Sequence, residues 1–254
     1  MRVELGLTPD SRWGIDTAGL VAAARGAGFS ALGISAPRAD AACAAALAAG
    51  GVRCHELLAL MVGADAEATE RRAGELAAAA VVVRASWVLT VLRVPLDGRT
   101  APVIERCAQI FAVAGARMAV EFSPFGSVTS IPAALEVVAA AGGPARAGVL
   151  IDTWHFFRGD STWRDLERVP LDQIAYVQFD DAPLPVTEDM FTETTNRRVF
   201  PGEGTFELER FAETLLRRRW AGLVSVEVLS AELCELPVTR FAESAYEATA
   251  RYWH

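Results

Sequence analysis

Eight short apolar or β-branched runs recur along the chain, separated for the most part by alanine-rich stretches with helical spacing. The runs are VELGL (3–7), ALGIS (31–35), VRCHELLAL (52–60), WVLTVL (87–92), RMAVEF (117–122), GVLID (148–152), IAYVQF (174–179) and LVSVEV (223–228). Stretches between them, such as ADAACAAALAAG (39–50) and IPAALEVVAAAG (131–142), repeat apolar residues at helical intervals and end in glycine, as helix C-termini favour. VTRFAESAYEATARYW (238–253) reads as a final helix. Strand and helix in alternation imply parallel strands covered on both faces. Eight such units predict the α/β class and a single (β/α)8 TIM barrel over residues 1–254. A doubly wound sheet is the rival, but GLTPDSRWG after the first run is not a dinucleotide fingerprint.

Composition removes several functions. All 24 Lys+Arg residues are arginine, so Schiff-base aldolase, pyridoxal-phosphate and P-loop chemistries lack their lysine. The formal charge of −8 argues against nucleic acid or an anionic membrane surface as partner. The four cysteines, Cys43, Cys54, Cys107 and Cys234, show no CxxC or zinc-ribbon spacing and read as reduced, mostly buried thiols. MRVELGLTPDS has no apolar core of a leader peptide, and Arg84 breaks LAAAAVVVRASWVLTVL (76–92), which reads as a helix end followed by a strand. A cytoplasmic protein without membrane segments is the expectation.

Active sites of such barrels lie at the C-terminal ends of the strands. Strand five ends in Glu121, strand six in Asp152, strand seven in Gln178 and strand eight in Glu227. Three carboxylates and one amide on one rim repel unless a cation joins them, and an all-oxygen set suits Mn²⁺ or Mg²⁺, with Co²⁺ or Zn²⁺ also admitted. Taken singly, each acid is more often a helix cap or a loop ion pair; the constellation carries the reading. The 180–206 connection is long enough to expect a functional loop.

The motifs VEFSPFG (120–126), LIDTWHFFRGD (150–160), YVQFDDAP (176–183), RRVFPGEGTFEL (197–208) and VSVEVL (224–229) resemble the xylose isomerase-like barrels. These include sugar phosphate isomerases and epimerases, hydroxypyruvate isomerase, inosose dehydratase, 3-dehydroshikimate dehydratase and endonuclease IV. The resemblance implies metal ligation by Glu121, Asp152, Gln178 and Glu227, a substrate-facing His155, and Arg198 on substrate oxygens. Histidine often stands where Gln178 does, and some branches use glutamine there. Endonuclease IV needs a set of histidines for three zinc ions; His55, His155 and His254 do not supply it.

In the isomerase reading Glu121 and Glu227 pass a proton on and off the carbon beside a metal-polarised carbonyl, by way of an enediolate, while His155 serves a substrate oxygen. The dehydratase reading shares that first half and then expels a hydroxyl, with His155 as its acid or base. A polyol- or metal-binding barrel without turnover is a third reading, which both glutamates and His155 oppose. The expected substrate is a small sugar-like or cyclic polyol ketone, and a homo-oligomer stays open. Arg53 sits at the wrong end of strand three to hold a substrate carboxylate. Alternation points His55 and Glu56 to opposite faces, one of them toward the barrel mouth, with Glu56 a substrate contact and a satisfied structural role the equal alternative; Trp154 is a candidate pocket wall, with packing the commoner role of such a residue. Asp180 is expected to cap or bond within the loop, and Arg217, Arg218 and Arg219 to end a helix in solvent.

Overall fold

The computed structural model describes residues 3–253; Met1 and Arg2 of the MRVELGLTPDS stretch, and His254, lie outside the described residues. In chain order the elements are β1 (Glu4–Leu7), α1 (Thr17–Ala27), β2 (Ala31–Ser35), α2 (Ala41–Gly50), β3 (Arg53–Val62), α3 (Ala66–Val83), β4 (Trp87–Leu92), α4 (Thr100–Val113) and β5 (Arg117–Glu121). There follow α5 (Ile131–Ala140), β6 (Ala147–Asp152), α6 (Thr153–Arg158), α7 (Trp163–Arg168), β7 (Ile174–Phe179), α8 (Met190–Asn196), α9 (Leu208–Arg217), β8 (Leu223–Val226) and α10 (Val238–Trp253). The strands form a closed parallel barrel in the order β1 to β8, sealed where β1 pairs with β8 from Glu4 opposite Leu223 to Leu7 opposite Val226. The fold is a (β/α)8 TIM barrel. None of the described helices is long and apolar enough to cross a membrane.

Local chemistry sets the element boundaries. Asp16, Asp40, Asp65 and Ser130 stand before α1, α2, α3 and α5, and each side chain accepts a backbone N–H of the first helical turn. The helices press Ile34, Leu57, Val88, Val120 and Val177 into the layer around the sheet, all fully buried. Inside the barrel the filling is smaller: Ala31, Leu89, Ala119, Leu150 and Ala175, closed below by Trp87 and Leu223. Arg53 lies at the opposite end from the β5–β8 rim, paired to Glu4.

One departure from expectation sits on β3. Its pairing with β2 passes from Leu32–Cys54 to Gly33–Glu56, so His55 is an extra residue at a bulge. Alternation fails there, and His55 Nε2 lies 3.2 Å from Glu56 Oε1 on the same side, without hydrogen-bond alignment. Gly33 makes this possible, since a Cβ there would stand 2.5 Å from Glu56 Oε1. Glu56 is fully buried; Thr8 Oγ1 donates to one carboxylate oxygen and the Tyr176 hydroxyl to the other. Burial disfavours its charge, but His55 and these hydroxyls outweigh that and hold its carboxyl below the ordinary value. Of its two expected roles the surroundings match the structural one: Glu56 is absent from the cavity wall and belongs to a polar knot in the barrel interior.

Candidate active site

Strand register brings the predicted rim residues together. Glu121 pairs with Leu150, two residues before Asp152; Asp152 pairs with Gln178; and Gln178 pairs with Ser225, two residues before Glu227. Side chains two apart along a strand share a face, so the positions climb by two from β5 to β6 and from β7 to β8, stay level from β6 to β7, and all four point inward. Glu121 Oε1 is 3.7 Å from His155 Nε2, and Glu121, Asp152 and His155 each offer a ligand atom within 4.8 Å of the others. Gln178 Nε2 donates to Glu227 Oε1 at 3.2 Å, which turns its carbonyl away; that buried Oε1 has no hydrogen-bond partner.

His155 is carried on α6 rather than on a strand. Asp152 ends β6 and also caps α6, its Oδ1 accepting the His155 backbone N–H at 2.9 Å. The capping alternative for a single rim acid is thus realised at Asp152 together with its place in the cluster. Burial lowers the His155 imidazole to about 4, so it is neutral at physiological pH.

Arg198 is 2% exposed and ties the acids together. Its NH1 donates to Asp152 Oδ2 at 2.8 Å, to Glu227 Oε2 at 3.2 Å and to Asp180 Oδ2. Nε and NH2 are taken by Thr194 of α8, through its carbonyl at 3.0 Å and its hydroxyl at 2.8 Å. Asp180 was missed as a site residue by the sequence reading, although it stands two beyond Gln178 and so shares its inward face. Burial presses against the guanidinium charge, but the carboxylates hold Arg198 above its ordinary value. Against the burial of Asp152 the same guanidinium wins and keeps that carboxyl low. Glu121 has no such partner: burial, reinforced by Asp152, raises it to about 8. Burial, with Asp152 and Glu121 adding to it, raises Glu227 as well, despite Arg198.

The segment that delivers Arg198 is anchored by Asp181. Its Oδ2 accepts the N–H groups of Gly202 and Gly204, both at 3.0 Å, and its Oδ1 those of Phe206 at 3.0 Å and Ala182 at 2.8 Å. The turn PGEG needs its glycines here: Gly202 has φ of +91°, and a Cβ on Gly204 would meet Asp181 Oδ1 at 2.2 Å. Replacing Asp181 by Ala leaves four N–H groups without their acceptor. The expected loss is roughly 3 kcal/mol, a fall of roughly 6–12 °C in Tm by calorimetry. A fall below about 3 °C would mean the turn holds itself.

A cavity of about 780 Å³ opens above the acids; Glu121, Glu227, His155 and Arg198 all line it. Asp152 and Gln178 are fully buried beneath. Trp154, expected as a wall, is 1% exposed and supports one instead: its ring stacks on Phe125 at 5.7 Å, and Phe125 lines the cavity. Its large indole is drawn into the core because α6 turns it under the rim. The sequence reading did not single out Phe125, although it lies within VEFSPFG, nor Phe191 of α8 or Arg93. Of the arginine run 217–219, Arg218 is not left to solvent but donates to the carbonyls of Leu166 and Val169 at 2.8 and 2.6 Å.

The oxygen set fits a divalent cation on its own terms. Gln178 Oε1 is orphaned and buried, and Glu121 and Glu227 are pushed toward protonation by burial and by neighbouring carboxylates that Arg198 alone does not offset.

The comparisons with known proteins agree with this architecture. The family described as xylose isomerase-like TIM barrel matches residues 21–253. Inosose isomerase of Halalkalibacterium halodurans is 29% identical over 151 residues, 58% of this chain and 51% of the relative. The 3-dehydroshikimate dehydratase of Pseudomonas aeruginosa is 30% identical over 128 residues, 50% of this chain and 20% of the relative. This chain thus aligns with about half or less of the length of these curated relatives. A crystal structure of the IolI protein with a bound zinc atom superposes with a TM-score of 0.86 over 98% of both chains, at 18% identity.

Proposed function

Because the chain belongs to the xylose isomerase-like TIM barrel family, we propose that it is a divalent-metal-dependent isomerase or epimerase of a small sugar-like ketone. The observation that carries this reading is the pair Glu121 and Glu227, which reach one cavity from β5 and from the residue after β8, with Asp152 and Gln178 between them. Glu121, Asp152, Gln178 and Glu227 would hold the cation, Mn²⁺ or Mg²⁺ by the hardness of an all-oxygen set. When bound, it supplies Lewis-acid polarisation that makes a C–H beside a carbonyl acidic.

The side chains then divide the proton work. One glutamate takes the proton from one face of the carbon, and the other returns a proton from the opposite side. His155, neutral and with its Nδ1 unpartnered in the interior, presents a ring nitrogen to a substrate oxygen. Arg198 keeps Asp152 and Glu227 in place and has a second NH2 hydrogen left for a substrate oxygen. Phe125 and Phe191 at the mouth exclude water from the reacting carbon.

The test is incubation of the Mn²⁺-loaded protein with ketoses, inososes and 3-dehydroshikimate in D₂O. Deuterium beside the carbonyl without loss of water is the expected result; no exchange with any ketone sinks the reading. A dehydratase is the second reading, favoured by the pair of His155 and Glu121, 3.7 Å apart on the cavity wall: the raised Glu121 carboxyl can give its proton to a departing hydroxyl while the neutral imidazole takes one from the carbon. An unsaturated ketone or aromatic product would select it.

Metal binding carries a pH signature. Glu121 is raised from 4.5 to about 8 in the folded protein, so the stability it contributes is full below its unfolded value and is lost as pH rises through about 8. His155, lowered from 6.5 to about 4, works oppositely, its contribution being lost as pH falls through about 4. The metal-free protein is therefore expected to lose stability between pH 6.5 and 8, and Mn²⁺ to raise Tm more at pH 8 than at pH 5. An equal rise at both, measured by differential scanning fluorimetry, counts against these carboxylates as ligands.

A further inference from the structure

The cavity has two unlike halves. Its reactive side carries Glu121, Glu227, His155 and Arg198, whereas the β3–β4 side is Leu58, Ala59, Met61, Leu89 and Val91. Across the mouth the Phe125 and Phe191 rings meet edge to face at 6.2 Å, and both are exposed. At about 780 Å³ the space falls in the range, roughly 300–1,000 Å³, that encloses ligands well beyond a triose. A polyol with hydroxyls on every carbon would leave those on the β3–β4 side facing Leu58, Leu89 and Val91 without partners, which is costly.

At the end of this apolar wall stands Arg93, the first residue after β4. Its backbone N–H donates to the Val62 carbonyl at 2.9 Å, which fixes its root where β3 and β4 end. Its side chain is exposed, lines the cavity, and has no carboxylate within ion-pair distance among the described residues. Arg198 is the other arginine of the wall, but three carboxylates already face it. An anionic group entering the cavity therefore finds uncompensated positive charge at Arg93.

We propose that the cavity takes a two-ended ligand: a ketone at Glu121 and Glu227, a carbon ring or chain poor in hydroxyls along Leu58, Leu89 and Val91, and a carboxylate on Arg93. One guanidinium offers the two parallel N–H bonds that a carboxylate accepts. Arg93 is then a specificity-determining residue of the site, an inference that rests on the proposed ketone chemistry for the position of the other end.

The experiment is calorimetric titration of the Mn²⁺-loaded protein with 3-oxocyclohexane-1-carboxylate, its neutral carboxamide and the phosphate ester of 3-hydroxymethylcyclohexanone. The carboxylate is expected to bind about tenfold tighter than the amide, as a charge-assisted pair allows. Arg93→Gln should abolish that preference, Arg93→Lys should keep part of it, and Mn²⁺ affinity should be unchanged in both. Equal affinity for acid and amide, no binding of either, preference for the phosphate ester, or a preference that survives Arg93→Gln would overturn the proposal. Deuterium exchange beside the same ketone is read in parallel. Exchange without an Arg93-dependent preference sinks this inference alone; the preference without exchange on any ketone sinks the catalytic reading alone.

Discussion

Glu227→Gln is expected to slow conversion of substrate to its isomer or epimer by about 10³-fold at saturating Mn²⁺, the scale of a lost general acid or base. Glu121→Gln should fall by a similar factor, because proton removal and return are sequential and either step alone stops turnover. Both variants give up a carboxylate ligand, but only Glu227→Gln also disturbs a second ligand, Gln178. Gln178 Nε2 and Arg198 NH1 both donate to Glu227, one to each oxygen. A glutamine at 227 can satisfy only one of them with its oxygen. If it keeps Arg198, its NH₂ confronts the Gln178 NH₂, and Gln178 must turn its amide over. That rotation points the orphaned Oε1 at residue 227 and takes it away from the ion. Mn²⁺ affinity should therefore drop about 10- to 100-fold in Glu227→Gln, as for other disturbed ligand orientations. Electron paramagnetic resonance titration of Mn²⁺ alongside the conversion rate separates the two effects. Conversion within tenfold of the wild type at saturating metal would remove Glu227 from the chemistry.

The barrel was largely legible because its strands are buried on both faces and stand out as uninterrupted apolar runs. ALGIS, WVLTVL and IAYVQF coincide residue for residue with β2, β4 and β7. Glu121, Asp152, Gln178 and Glu227 were placed on one rim by the same logic, and the strand register has them there, since a polar residue closing such a run has few other places to be. What escaped depends on geometry that periodicity does not encode. The bulge at His55 arises from Gly33 yielding room to Glu56 across a strand pair, so a rule about alternation within β3 could not choose between cavity and barrel interior for Glu56. Trp154 neighbours His155 in sequence but is buried behind Phe125, a placement that its position in the motif does not encode. Arg93 and Phe191 meet the cavity only through the conformation of loops and of α8, which nothing local announces. Asp180 is different: continuing the alternation two residues past Gln178 would have placed it inward, facing Arg198.

That last contact leads to the largest expected change in stability. Arg198→Met should cost about 3–5 kcal/mol, the usual consequence of removing one partner from a buried charge cluster, and lower Tm by roughly 10 °C. Met fills much the same space, so the loss comes from charge: Asp152, Asp180 and Glu227 would stand buried with no counter-charge from the protein. Asp152, which the guanidinium now holds below its ordinary value, would rise above it, as Asp180 and Glu227 already have. Carboxyls raised in the folded state give stability at low pH that is lost as pH rises, so the deficit against wild type should grow from pH 5 to pH 8. Asp180→Asn in the Arg198→Met background should then recover part of the loss, although Asp180→Asn alone should destabilise by leaving Arg198 less compensated. Urea denaturation of the four proteins at both pH values forms a double-mutant cycle, and the coupling between 180 and 198 should be favourable and larger at pH 8. A pH-independent loss with no coupling would mean that Arg198 stabilises through its packing over the Trp154 ring, 5.9 Å away, and not through the acids.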